Sequence, residues 1–179
     1  RARGIRGEGL STLDVWDDKL VALGSEIIVA RQRLANDLQQ PVADAYAAIA
    51  GADHRPELEW ALSIRGGDPE EDEDTATAPE DAVTPAAVAE QFRASLASKR
   101  SNELDRGLTL TGPHRDDLVL RVRSLPVKGY ASHGESWSVA LALRLASAEL
   151  LRSESPAGDP VLILDDVFAE LDADRRQRL

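Results

Sequence analysis

Apolar residues open the chain at alternating spacings of three and four: Leu13, Trp16, Leu20, Leu23, Ile27, Ala30, Leu34 and, imperfectly, Asp37. That is the a/d pattern of a coiled coil, sustained for about four heptads. Ser11 is placed to cap this helix, with Asp14 at the capping-box position. Pro41 is expected to interrupt it, with a shorter helix following to Ala50. Two readings stand: one helix of a bundle, or half of an antiparallel arm whose partner lies upstream of Arg1. From Glu57 to Arg65 the period changes to two. Leu58, Trp60, Leu62 and Ile64 share one face, as in a half-buried strand ended by Gly66 and Gly67. Thr84-Pro85 is a helix start, and Val88, Phe92 and Leu96 follow it on one face. Leu108 to Thr111 and Asp117 to Val122 read as short strands joined by a turn. Ser136 to Arg152 reads as a Leu- and Ala-rich helix. Val161 to Leu164 is a continuous apolar run, as in a parallel strand covered on both faces. Asp172 to Leu179 reads as a last helix. No internal repeat is apparent.

These elements predict an α/β chain in three stretches. Residues 1–55 form a helical arm or second lobe. Residues 56–100 hold a strand, an acidic loop and a helix, and residues 101–179 hold a strand–helix–strand unit. The length of 179 residues and the 42% apolar content suffice for a core. No apolar run reaches membrane-spanning length, and Arg1 to Leu10 lacks the apolar region of a signal peptide. There is no cysteine, so disulfides and thiolate metal sites are excluded and a cytoplasmic location is expected. The absence of methionine, with an end inside a predicted helix, points to a piece of a longer protein.

The net charge of −11 argues against a non-specific nucleic-acid surface. Eight of the acids fall between Asp68 and Asp81 with no base among them, however, as in a solvated disordered insertion. The remainder is near neutral, so DNA binding is permitted. Arg115, Arg121, Arg123 and Lys128 form a local basic cluster that strand alternation explains equally well.

Candidate chemistry begins where the apolar run Val161-Leu162-Ile163-Leu164 ends in Asp165-Asp166. Carboxylates at the carboxyl end of an α/β strand sit where such sheets bind ligands. One can hold Mg²⁺ through water, and a second can orient an attacking water. This is the form of a Walker B element; a helix cap or solvated turn is the plainer reading. Asp172 follows in Leu171-Asp172, which is similar to the D-loop of ABC and SMC ATPases and equally suited to cap the final helix. Upstream, Ser132-His133-Gly134-Glu135 precedes the Leu-rich helix. A helix N-terminus favours an anion, Gly134 permits close backbone approach, and Ser132 offers a hydroxyl. The segment loosely resembles the ABC signature motif, with His133 and Glu135 departing from the transporter version. A plain cap is the alternative.

Three segments together resemble the RecF family: Thr111-Gly112-Pro113-His114-Arg115-Asp116-Asp117-Leu118, then Gly129-Tyr130-Ala131-Ser132-His133-Gly134-Glu135, then Leu162-Ile163-Leu164-Asp165-Asp166-Val167-Phe168-Ala169-Glu170-Leu171-Asp172. The resemblance implies the C-terminal, incomplete part of an ABC/SMC-type ATPase head with a mostly helical lobe. It implies ATP and Mg²⁺ as cofactors and a head-to-tail dimer that binds DNA, at a duplex, a gap or a junction. RecO and RecR would be partners in loading RecA at gaps during recombinational repair and the SOS response, with no membrane. By position, Asp165 would hold Mg²⁺ through water and Asp166 would polarise the attacking water. Ser132, His133, Gly134 and Glu135 would form the signature that meets the γ-phosphate in trans, and Asp172 would lie at the dimer interface. The resemblance gives His114, Arg115, Asp116 and Asp117 no role; a structural turn with an Arg–Asp pair stands beside a contact to nucleotide or DNA. No G-x-x-x-x-G-K-[ST] occurs in this chain. A weak ATPase is thus expected of the parent protein and no activity of this chain alone. The alternatives are another SMC/ABC-type head, a non-catalytic dimerisation module, or a carboxylate hydrolase gathering Asp116, Asp117 and His114 onto Asp165 and Asp166.

Overall fold

The computed structural model describes residues 8–66, 84–156 and 158–165. The acidic stretch and the segment carrying Asp166 and Asp172 lie outside them. Helix α1 runs from Glu8 to Ala50, followed by strand β1 (Glu57–Ala61), a 3-10 turn (Ser63–Arg65) and helix α2 (Pro85–Arg106). Then come β2 (Asp117–Val122), β3 (Leu125–Pro126), a short turn α3 (Val127–Tyr130) and helix α4 (His133–Glu154). The three strands form one sheet in the order β1-β2-β3. Strands β2 and β3 are antiparallel, with Val122 opposite Leu125 and Arg121 opposite Pro126. Proline is tolerated in β3 because β3 ends the sheet, where a missing donor breaks no ladder. Contacts group the chain into two compact units: residues 1–33 with 60–118, and residues 34–59 with 119–179.

Helix α1 corrects two expectations. It is one helix of 43 residues that passes through Pro41, and it starts ahead of Ser11, which therefore is not its cap. A proline inside a helix costs about 3 kcal/mol. Leu38, Val42, Tyr46 and Ile49 are all buried on the same face around it. Each such side chain contributes roughly 1.5–3 kcal/mol, so packing outweighs the break. The heptad seam, moreover, is not the buried face. Val21, Ile28, Val29, Ala35 and Leu38 are buried, whereas Trp16, Leu23, Ile27 and Leu34 are exposed.

In the first unit, Val21, Ile28 and Val29 of α1 pack with Leu62, Ile64, Val88, Phe92 and Leu96. Thr84 caps α2 as expected, accepting from the Ala87 N–H, with Pro85 at the first helical position. Gly107, at φ 68°, ends it. The predicted strand Leu108–Thr111 is absent, and the hydrogen bonds show why. The Leu108 and Leu110 N–H groups donate to the carbonyl and the carboxylate of Glu103, and Thr111 bonds Ser95. A ladder needs the Leu108 and Leu110 N–H groups, and Glu103 near the end of α2 has taken them, while the Thr111 bond is between side-chain hydroxyls. The strand predicted for Glu57–Arg65 likewise stops at Ala61, and Ser63–Arg65 turns.

In the second unit, Leu38, Val42, Tyr46 and Ile49 pack with Val122 and with Val139, Leu141, Ala142 and Ala146 of α4. The expected helix is thus present and begins three residues earlier than predicted. The run Val161–Leu164 does not form the expected covered strand. It pairs with none of the three strands, and Val161 and Ile163 are 89% and 88% exposed. An apolar strand becomes a buried one only where neighbours bond its two edges, and the described residues supply none.

Candidate functional site

Ser132 precedes α4 in extended conformation and acts as its N-cap. Its hydroxyl accepts from the Glu135 N–H at 3.3 Å, while Glu135 Oε2 accepts from the Ser132 N–H at 2.9 Å and from the Ser132 hydroxyl at 2.8 Å. This is a complete capping box, which a Ser with Glu three residues on encodes. Ser132 and His133 are exposed residues, and the His133 ring meets the Trp137 ring edge-on, with centroids 6.4 Å apart. Gly134 lies in the first turn, where its carbonyl accepts from the Ser138 hydroxyl.

The β2–β3 hairpin reaches the same place. Its two turn residues, Arg123 and Ser124, are both left-handed, at φ 55° and 65°. That is the backbone of the two-residue hairpin that asparagine and glycine favour. The Arg123 N–H donates to the His54 carbonyl at 2.7 Å, and its guanidinium pairs with Glu135 Oε1. The same guanidinium nitrogen lies 3.3 Å from both ring nitrogens of His54, whose Nδ1 meets the Tyr46 hydroxyl at 3.0 Å. The Ser132 N–H and hydroxyl hold the Glu135 carboxyl below the usual range, and Arg123 and His54 add to this against the cost of burial. A small cavity of about 40 Å³ opens here, lined by Arg123 and Glu135 with Val122, Leu125, Pro126 and Tyr130.

The other candidate residues lie apart. Asp165 ends the described chain, exposed. Asp166 and Asp172 fall outside the described residues. Among those residues no three histidines, cysteines or acids gather as a metal site, so His114, Asp116 and Asp117 show no convergence of the kind a carboxylate hydrolase needs. The turn that carries them is built into the first unit. Asp116 Oδ1 accepts from the Ser63 N–H and hydroxyl, each at 2.8 Å, and the Gly112 N–H donates to the Ser63 hydroxyl. Arg31 donates to the Pro113 carbonyl at 2.7 Å and lies over the Trp60 ring. Gly112, at φ 130°, passes so close to Phe92 that a Cβ would lie 2.9 Å from its ring. Asp117 accepts from the N–H of Leu118, and His114 approaches the Thr109 carbonyl. Sequence reasoning missed Ser63, Arg31, His54 and the role of Arg123. The first three carry no local motif. Arg123 had only its place in a basic cluster.

No protein-family model matches the chain. The DNA replication and repair protein RecF of Clavibacter sepedonicus is 57% identical over all of this chain and 45% of its own length. RecF of Leifsonia xyli subsp. xyli is 55% identical over all of this chain and 46% of its own. Among solved structures, the recombination mediator protein RecF-ATPrS of the RecFOR pathway superposes with a TM-score of 0.77 at 26% identity. It covers 96% of this chain and 42% of that one. The corresponding RecF-ATP structure gives the same TM-score at 25% identity. The fold is therefore that of an ABC/SMC-type ATPase head, represented here by part of the domain with its helical lobe. Within that class the chain belongs to the RecF family. It spans a little under half the length of the curated relatives it matches.

Proposed function

We propose that this chain is the signature and Walker B side of a DNA repair ATPase that dimerises with ATP on DNA and acts with RecO- and RecR-type mediators in the cytoplasm. The observation that carries the reading is the start of α4: an exposed serine hydroxyl at a capped helix N-terminus, with an arginine beside it. A helix start of this kind suits the terminal phosphate of a nucleotide held by a second copy. The fit has one cost. The Ser132 hydroxyl donates its hydrogen bond to Glu135, and an arriving phosphate must accept that bond in place of the carboxylate. His133 and Gly134 would bring the first turn of α4 to the nucleotide.

Asp165, exposed at the end of the apolar run, would hold Mg²⁺ through water together with the phosphates of the nucleotide, since this ion keeps several of its waters and takes only one or two carboxylates; bound there, it would offset phosphate charge. Asp166 would orient the attacking water and Asp172 would lie at the dimer interface. The reading also requires Val161–Leu164 to gain strand neighbours from the rest of a full-length family member. This chain, with no phosphate-binding G-x-x-x-x-G-K-[ST], is expected to show no ATPase rate above a protein-free control.

The test is ATP-dependent dimerisation and duplex binding of a full-length RecF-family protein bearing this sequence. Ser132→Arg should abolish ATP-driven dimers, and Asp166→Asn should trap them on DNA. Wild-type behaviour of both variants would leave Ser132 a plain cap and the aspartates structural. Dimers that form equally without ATP would favour a non-catalytic dimerisation module.

A further inference from the structure

We propose that Arg123 is a positioning residue for the signature serine: by offsetting the charge of Glu135 it lets a phosphate approach Ser132 and accept the hydrogen bond of its hydroxyl. The inference rests on the reading that Ser132 meets a phosphate.

Glu135 is bound on both carboxylate oxygens. Oε2 takes both donors of Ser132, and Oε1 takes the Arg123 guanidinium. The capping box therefore places a negative charge within hydrogen-bond reach of the one hydroxyl that would receive a phosphate. Two anions competing for one donor repel, and the repulsion is strong where water is partly excluded. The Glu135 side chain is only 16% exposed. Arg123 is its cationic partner, and the fold holds it there at a cost. Its backbone is left-handed, a region that non-glycine residues enter with strain. Its N–H is tied to the His54 carbonyl, and the His54 ring, itself held by Tyr46, flanks the guanidinium. A hairpin needing only to turn would take asparagine and glycine here. The Arg123 side chain is 56% exposed, so an incoming anion can share its charge with Glu135.

The experiment is a double-mutant cycle, read as the ATP concentration that half-dimerises a full-length RecF-family protein bearing this sequence. Arg123→Gly keeps the hairpin, because glycine accepts the left-handed backbone without strain. It should raise that concentration about fivefold, the size expected for a partly exposed ion pair. Glu135→Gln preserves the capping box without the charge. In that background Arg123→Gly should change the midpoint less than twofold, and Arg123→Lys in the wild-type background should restore most of the loss. A merely structural role for Arg123 would weaken dimerisation equally in both backgrounds and overturn the proposal, as would no effect in either. Thermal unfolding of each variant separates misfolding from these outcomes. Ser132→Arg, measured alongside, tests the underlying reading. If it dimerises normally, that reading fails. If it does not, while Arg123→Gly behaves as wild type, only the role of Arg123 fails.

Discussion

Asp116 shows what one residue of a recognisable motif does once its partners are known. Its Oδ1 holds the Ser63 N–H and hydroxyl, while its Oδ2 is buried with no hydrogen-bond partner among the described residues. Burial pushes the carboxyl up, and the two bonds from Ser63, with Arg31 and His114 nearby, pull it back only in part. A raised carboxyl stabilises the fold most when protonated. That contribution is present below the ordinary aspartate range, about pH 4, and is lost as pH rises through the raised value. Asp116→Asn keeps the acceptor and removes the charge, so its stability should change less between about pH 4 and 8 than the wild type's. Asp116→Ala strands the Ser63 N–H and should cost about 1–3 kcal/mol at either pH. Urea unfolding at both pH values measures this, and an Asn variant as damaging as Ala at pH 8 would contradict it. The segment Thr111–Asp117 stood out in the sequence, but its function did not. Ser63 lies 53 residues from Asp116, and nothing local announces such a partner.

At the scale of elements, legibility depended on whether the deciding contacts were near in sequence. The caps of α2 and α4 were readable because Thr84-Pro85 and Ser132 with Glu135 act across three residues. The α4 cap carries a pH signature. The Glu135 carboxyl is held low by Ser132 first, then Arg123 and His54. Its stabilisation is complete above the ordinary glutamate value, about 4.3, and is lost as pH falls through the depressed one. Between pH 5 and 3 the wild type should therefore lose more stability than Glu135→Gln, followed by circular dichroism at the helix band. Parallel losses would mean the carboxylate contributes nothing to the cap. Other elements defied local reading. The hairpin at Arg123-Ser124 lacks the asparagine and glycine that advertise such turns. Leu108–Thr111 has strand-like residues whose backbone groups the end of α2 takes, and α1 overrides Pro41 through packing on either side of it.

For the molecule as a whole, the exposed apolar surface is the informative feature. Val161–Leu164 pairs with no strand among the described residues, and Trp16, Leu23, Ile27 and Leu34 stand exposed along α1. Amide exchange at Val161–Leu164 should be fast in this chain and slower by about a hundredfold or more in a full-length RecF-family protein, as for a strand drawn into a sheet. Equal exchange in both would remove the strand from the proposed Walker B element. The sequence by itself determined the class: periodicity set most of the helices and strands, and short motifs at fixed spacing carried the family resemblance and the cap at Ser132. Such signals survive in one dimension because they act between residues a few positions apart. Only the tertiary structure decided which face of α1 is buried, that Ser63 locks the Thr111–Asp117 turn, and that Arg123 bridges His54 and Glu135. Those contacts join residues 12 to 69 positions apart, and their energy comes from burial and charge pairing that no local pattern encodes.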